Sequence, residues 1–401
     1  MKYIFILGQS AAIAKQEILN ILAKDSKKDI IIGQNFILAD STENAADLIK
    51  SLGGTIKIAK LVDTMEDLSN LTTEKWQSYL EEKLTKQKKN YFGFSLYNGS
   101  HKEQEKLSQT AFELKKQLKE KYRVRFVTSK RNELSSVIVA KNHLLGTELI
   151  VVKHVAKETN KYFIGLTQSV QDFVAYGKRD IARPGKDSKS GMLPPKLAQM
   201  MINMAGESKD STLLDPFCGY GTILQEAVLM GYKEIYGTDK EERAIKDSRA
   251  NIEWLKKHFP NKAKVQIDKI NVKNLAQHFK DKKIDLIVTE PFMGDARFVV
   301  KQRKAEDLQE LKSELQELYN EAFHQFKKIL SPEGKIVFVF PIFNLREQKV
   351  YTLNRNILTN IGFKIIKPDI KSGNLSPEGN LLYSRPGQKV EREISVWQKT
   401  L

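Results

Sequence analysis

Apolar positions along the chain fall into short alternating runs and helix-spaced stripes that take turns from one end to the other. Residues 3–7, 30–38 and 55–62 read as strands, with helices over 11–22, 44–52 and 73–84 and Thr72 or Thr73 as the cap of the last. A second stretch follows with a strand at 91–97 and a charged helix over 103–121 that carries Leu107, Ala111, Leu114 and Leu118 on one face. Residues 122–127 then alternate, which sets Arg123 and Arg125 on the face opposite Val124 and Phe126. Lys130 and Arg131 fall in the next loop, ahead of the apolar run 134–139 and a strand at 148–152.

From residue 193 the alternation becomes strict. Strands at 213–215, 234–239, 264–267, 284–289, 335–340, 363–366 and 391–398 are interleaved with helices over 194–205, 223–230, 241–258, 306–330 and 354–361. Strand and helix in turn predict a doubly wound, mostly parallel sheet with its ligands at the carboxyl ends of the strands. The fold class expected is therefore α/β, with a C-terminal Rossmann-like sheet preceded by an α+β, ferredoxin-like region. The predicted division is a small module at 1–89, a second at 90–167, an exposed link at 168–192 rich in Arg, Lys, Gly and Ser, and a domain over 193–401.

Within that domain, Asp215-Pro216-Phe217-Cys218-Gly219-Tyr220-Gly221-Thr222 joins an apolar strand to a helix through two glycines one residue apart. Such a turn lets the backbone approach a ligand closely and aims the free N–H groups of a helix start at it. A dinucleotide fingerprint needs a third glycine, where this chain has Leu224, so a nicotinamide cofactor is disfavoured. The segment is similar to the first motif of S-adenosylmethionine-dependent methyltransferases. Asp239, about twenty residues on and at the end of the next strand, is spaced to take the ribose hydroxyls of an adenosine cofactor. Asn271 or Asp268 would meet the adenine. The resemblance implies a cofactor site of Asp215, Phe217, Cys218, Gly219, Gly221, Thr222, Asp239, Lys240, Asn271 and Glu290.

Charge adds a partner to this picture. A formal net charge of +17 favours a polyanion, since Lys and Arg that neutralise phosphates gain from counterion release. The residues 124–130, 134–137 and 148–152 resemble the THUMP domain, an RNA-binding module found on RNA-modifying enzymes. The segment from Arg183-Pro184 to Ala198 resembles the lead-in to the catalytic domain of THUMP-containing tRNA guanine-N2 methyltransferases. Arg123, Arg125, Lys130, Arg131, Arg183 and Lys196 are the candidate RNA contacts. One cysteine excludes an intrachain disulfide and a Cys-rich metal site, the histidines lack ligand spacing, and no metal is expected. No stretch approaches a membrane span, and the cytoplasm is the expected compartment.

The strand end Thr289-Glu290-Pro291-Phe292-Met293-Gly294 decides the chemistry. Amino-methyltransferases place Asp/Asn-Pro-Pro-Tyr/Phe here, to accept the two N–H bonds of a weakly nucleophilic amine and to stack its base. This chain has Glu290 for the Asp or Asn, Phe292 on the second proline and Met293 on the aromatic, so Glu290, Pro291 and Phe292 are the catalytic candidates. Pyrimidine C5-methylation, which needs a cysteine nucleophile near this strand, is disfavoured because Cys218 lies in the cofactor turn. The resemblance implies methyl transfer to N2 of a guanosine in tRNA, position 10 by family analogy. The alternatives are a DNA amino-methyltransferase and an RNA-binding protein that retains the cofactor site without methylating.

Overall fold

The computed structural model describes residues 1–22, 29–156, 159–186, 192–294, 305–345, 348–371, 373–385, 387–388 and 390–400. Contacts divide the chain into two units. The first comprises Met1–Ala11, Asp25–Ser51 and Thr55–Phe173, the second Ala12–Lys24, Leu52–Gly54 and Val174–Leu401.

The first unit is built on one sheet of β1 (Lys2–Leu7), β2 (Ile31–Ile32), β3 (Phe36–Asp40), β4 (Thr55–Met65), β5 (Asn90–Tyr97), β6 (Val124–Val127), β7 (Glu148–Ala156) and β8 (Thr159–Val170), in the order β2-β3-β1-β4-β8-β7-β5-β6. The two N-terminal modules expected at 1–89 and 90–167 thus share a single sheet, because β4 pairs antiparallel with β8 over most of its length. The strand expected over 30–38 is a hairpin instead. Gly33, Gln34 and Asn35 favour a turn, and the Gly33 N–H closes it on the Phe36 carbonyl at 2.9 Å. One face of the sheet packs Phe92, Phe94 and Phe126 against Trp76 of the helix Thr73–Leu80 and against Leu107, Ala111, Leu114 and Leu118 of the helix His101–Leu118, whose predicted apolar stripe is buried. Ser100 and Glu103 cap that helix reciprocally. Between strands, the fully buried Glu148 carboxylate takes the Lys57 ammonium and the hydroxyls of Ser95 and Thr167, so no charge is left unpaired there.

The second unit holds β9 (Leu213–Asp215), β10 (Glu234–Asp239), β11 (Lys264–Lys269), β12 (Ile284–Thr289), β13 (Leu330–Leu345), β14 (Gln348–Tyr351), β15 (Phe363–Ile366), β16 (Leu381–Tyr383) and β17 (Val390–Lys399). The sheet order is β11-β10-β9-β12-β13-β17-β15, with β14 on β13 and β16 on β17. From β11 to β13 the pairs are parallel, and β17 joins β13 antiparallel. This is the doubly wound sheet expected. The chain leaves β9 to one side for β10 and β11 and returns to its other side for β12, so the strand order reverses between β9 and β12, where an open α/β sheet leaves its ligand crevice. Phe323 and Phe326 of the helix Ala305–Ile329 meet Phe338 and Trp397 in the core on one face.

The link expected at 168–192 is ordered over its first part. β8 runs to Val170, and Phe173–Gly177 and Lys178–Ala182 are helical turns. Arg179 is buried because it meets a buried carboxylate, its Nε donating to Glu226 at 2.7 Å with the guanidinium over the Tyr176 ring. Arg183 is 1% exposed and donates to the Thr222 hydroxyl at 2.7 Å, so it is a buried brace of the helix Thr222–Leu229 and not a surface contact for RNA. Asp187, Lys189, Ser190 and Gly191 lie outside the described residues.

Most of the helix Ala11–Leu22 and the turn Leu52–Gly54 group with the second unit, and Glu17 shows why. Its fully buried carboxylate accepts the N–H groups of Gly53 and Gly54, at 2.8 and 2.9 Å, and the Asn203 amide at 2.8 Å. Glu17→Ala removes the acceptor of these donors and is expected to cost on the order of 2–3 kcal/mol, read as a lower urea midpoint of the full chain. An unchanged midpoint would show that the donors find other acceptors.

Candidate active site

At the carboxyl ends of β9, β10 and β12 lies a cavity of about 610 Å³. It is lined by Asp215, Phe217, Cys218, Gly219 and Thr222 of the glycine turn, Asp239 and Lys240 after β10, Asn271 after β11, and Glu290, Pro291 and Phe292 after β12. The structure therefore brings together the expected cofactor and catalytic residues, apart from Gly221, which shapes the turn from behind. Gly221 has φ +73°, and a Cβ there would sit 2.4 Å from the Ser248 hydroxyl, so both conformation and space require glycine. Gly219, at φ +48°, turns its N–H onto Asp239 Oδ2 at 3.0 Å.

The helix Glu242–His258 holds this turn from outside. Asn251, fully buried, donates to the Tyr220 and Gly185 carbonyls and accepts from the Gly185 N–H, each at 2.8 Å. Sequence reading did not single out Asn251 or Ser248. The signal was present, since both polar residues sit in the buried stripe formed with Ile245, Ile252 and Leu255.

Asp239 combines two roles that the sequence set against each other. Its Oδ1 accepts the Glu241 N–H at 3.0 Å and its Oδ2 the Gly219 N–H, yet it lines the cavity with lone pairs to spare. Asn271 lines the cavity while its Oδ1 accepts the Lys273 N–H at 3.1 Å, whereas Asp268 does not line it and is engaged by Gln266, Arg249 and His278. Cys218 is buried, and burial pushes its thiol well above the ordinary range, which suits a packing role and not a nucleophile.

The two halves of the cavity are joined at Asp215. Its Oδ1 accepts both the Thr289 hydroxyl, at 2.7 Å, and the Phe217 N–H, at 3.2 Å, which ties the glycine turn to the end of β12. Beyond Thr289 the chain leaves the sheet through Pro291 with Phe292 57% exposed, and the Tyr319 hydroxyl pins this segment by donating to the Phe292 carbonyl at 2.8 Å. Among the described residues the Pro291 carbonyl accepts no hydrogen bond. Glu290 is engaged by a partner that the sequence did not point to. Arg392, from the last strand, donates to both its oxygens, Nε to Oε1 at 2.5 Å and Nη2 to Oε2 at 3.4 Å. Arg392 is nearly buried there, and the Glu290 carboxylate offsets its charge.

Of the expected RNA contacts, Arg123, Arg125, Lys130 and Arg131 are exposed on the first unit. Lys196 is exposed on the second, with its ammonium 5.2 Å from the Tyr176 ring centre. No group of residues able to hold a metal ion is present among the described residues. No helix searched is long and apolar enough to cross a membrane.

A family model described as DNA methylase matches residues 11–250, more than half of the chain. A second, described as RMKL-like, methyltransferase domain, matches residues 185–344. A tRNA (guanine(10)-N2)-dimethyltransferase of Methanothermobacter thermautotrophicus is 36% identical over 104 residues, 26% of this chain and 28% of that protein. The enzyme of the same description from Methanocaldococcus jannaschii is 34% identical over 148 residues, 36% of this chain and 40% of that protein. The chain thus spans well under two thirds of these relatives. Among solved structures, TrmN from Thermus thermophilus aligns with a TM-score of 0.55 at 14% identity, covering 100% of both chains, a likeness of fold.

Burial, with smaller contributions from Asp239 and Glu290, pushes the Asp215 carboxyl up to about 7, while the Thr289 and Phe217 hydrogen bonds oppose the shift. The folded state then holds more protons than the unfolded chain between about pH 4 and 7, so stability drawn from this group is present below that window and lost as pH rises through it. Asp215→Asn keeps one oxygen for both donors and removes the charge. It is expected to unfold at a higher temperature than the parent at pH 8 and at the same temperature at pH 4. A gap independent of pH would contradict the assignment.

Proposed function

Because the chain belongs to the methyltransferase family described as DNA methylase, we propose that it uses S-adenosylmethionine to methylate the exocyclic N2 amine of a guanosine in tRNA. The observation that carries this reading is the shared cavity, in which the glycine turn after β9 and the Glu290-Pro291-Phe292 segment after β12 face one space.

The cavity suits the cofactor on its own chemistry. Asp239, Glu241 and Glu290 line it with carboxylates, complementary to a sulfonium and an ammonium group, and the glycine turn offers a close backbone wall. Asp239 would take the ribose and Asn271 the adenine. When bound, S-adenosylmethionine supplies an electrophilic methyl group. The chain's own residues prepare the acceptor. An aromatic amine is a weak nucleophile because its lone pair is drawn into the ring. Accepting its N–H bonds returns electron density to nitrogen, and the Glu290 carboxylate and the Pro291 carbonyl are the two acceptors at hand. A carboxylate has about four lone-pair sites, so the two hydrogen bonds from Arg392 leave capacity for the amine and for its departing proton. Phe292 offers its exposed ring to the base, which must leave its stack to enter.

The first unit would grip the tRNA, as the resemblance of residues 90–167 to a THUMP domain implies, with Arg123, Arg125, Lys130 and Arg131 on phosphates and Lys196 of the second unit as a further phosphate contact. Relatives named tRNA (guanine(10)-N2)-dimethyltransferases support guanosine as the target and tRNA as its carrier. The description of the matching family as DNA methylase favours one second reading, an amine of DNA as acceptor.

Transfer of labelled methyl groups to total tRNA and to duplex DNA separates the two readings. Label is expected in tRNA, lost by a factor on the order of 100 or more in Glu290→Ala with cofactor affinity kept, and label confined to DNA would overturn the proposal. Replacing Arg125, Lys130 and Arg131 together by alanine is expected to weaken tRNA binding and to reduce its salt slope by about 2 to 3. An unchanged slope would take this surface out of the RNA footprint.

A further inference from the structure

The last strand carries three charged residues in a row, Glu391-Arg392-Glu393, in a strand paired on both sides. Each has found a partner. Glu391 accepts from Lys349 and Asn344, at 2.8 and 3.0 Å, and Glu393 from the Ser376 hydroxyl and the Asn380 amide, at 2.5 and 2.9 Å. Both partnerships stay within the strand's own surroundings. Arg392 lies opposite Pro341 on β13 and Tyr383 on β16, and its guanidinium crosses β13 to reach Glu290 beyond the end of β12. The two side chains are 5% and 13% exposed.

A buried ion pair of this kind adds little net stability over an apolar pair of the same volume, so stability does not account for it. Its geometry points to the amine site. Glu has one methylene and one rotatable bond more than the Asp or Asn expected at this strand end, and an unsupported glutamate would sample several rotamers at the point where an acceptor must stay fixed. A planar guanidinium that engages both oxygens removes that freedom.

We propose that Arg392 is a positioning residue for methyl transfer, holding Glu290 in a single orientation so that the longer side chain serves where a shorter one is usual. The inference rests on the amine-transfer reading given above. Arg392 does not itself meet the acceptor. Its effect passes through Glu290.

The test compares Arg392→Met and Arg392→Lys in the full-length chain, with labelled transfer to tRNA, calorimetric cofactor binding and thermal unfolding. Arg392→Met is expected to lower kcat about 100-fold, the scale of a misplaced catalytic group, with KM for tRNA and cofactor affinity within about twofold. Arg392→Lys, which keeps the charge and loses the fork, should recover only part of kcat at near-parent stability. Normal kcat in Arg392→Met, or a loss of kcat matched by an equal loss of cofactor affinity in both variants, would overturn the proposal. A double-mutant cycle of Glu290→Gln with Arg392→Met on unfolding reads the pair without any reaction. Zero coupling overturns the clamp, whereas strong coupling in a protein that methylates no nucleic acid would leave the clamp in place and sink the amine-transfer reading instead.

Discussion

The hydrogen bond from the Thr289 hydroxyl to Asp215 Oδ1 is the constraint on which the rest of the site depends. It spans the reversal point of the sheet, where β9 and β12 lie side by side and nothing in the ladder itself fixes their carboxyl ends relative to one another. One oxygen of Asp215 holds the end of β12 and the first residues of the glycine turn together. A donor placed by the turn and an acceptor placed after β12 are thereby kept at a constant separation, which a transfer between two bound molecules requires. The cost is a carboxyl buried among other carboxylates, pushed up to about 7.

Around that joint several buried polar groups brace the cavity wall. Asn251 and Arg183 fasten the glycine turn and the start of its helix, Tyr319 fastens the Phe292 carbonyl, and Arg392 fastens Glu290. In each case the fastening group comes from an element remote in sequence. The cavity is shaped by these contacts and by the two glycines of the turn, so its form follows from the packed sheet and not from the local conformation of its loops.

Much of this was legible in the sequence. The strict alternation after residue 193 gave the doubly wound sheet, and Asp215–Thr222, Asp239, Asn271 and Glu290-Pro291-Phe292 all reach one cavity except Gly221, which supports it. Local spacing sufficed there because strand ends and turns are short-range features. What stayed hidden was long-range. Arg179 and Arg183 looked like an exposed link because composition alone does not reveal that Glu226 and Thr222 await them. The single N-terminal sheet was hidden by the same rule, since its joining pair, β4 with β8, lies about a hundred residues apart. Arg392 had a signal that went unused, because a run of three charges in a strand paired on both sides demands buried partners.

The most direct measurement of the central claim is mass spectrometry of tRNA nucleosides from cells with and without this protein. N2-methylated guanosine is expected to fall when the protein is absent and to return with the parent chain but not with Glu290→Ala. A nucleoside profile that does not change, or that changes only at another base, would contradict methyl transfer to the guanosine amine.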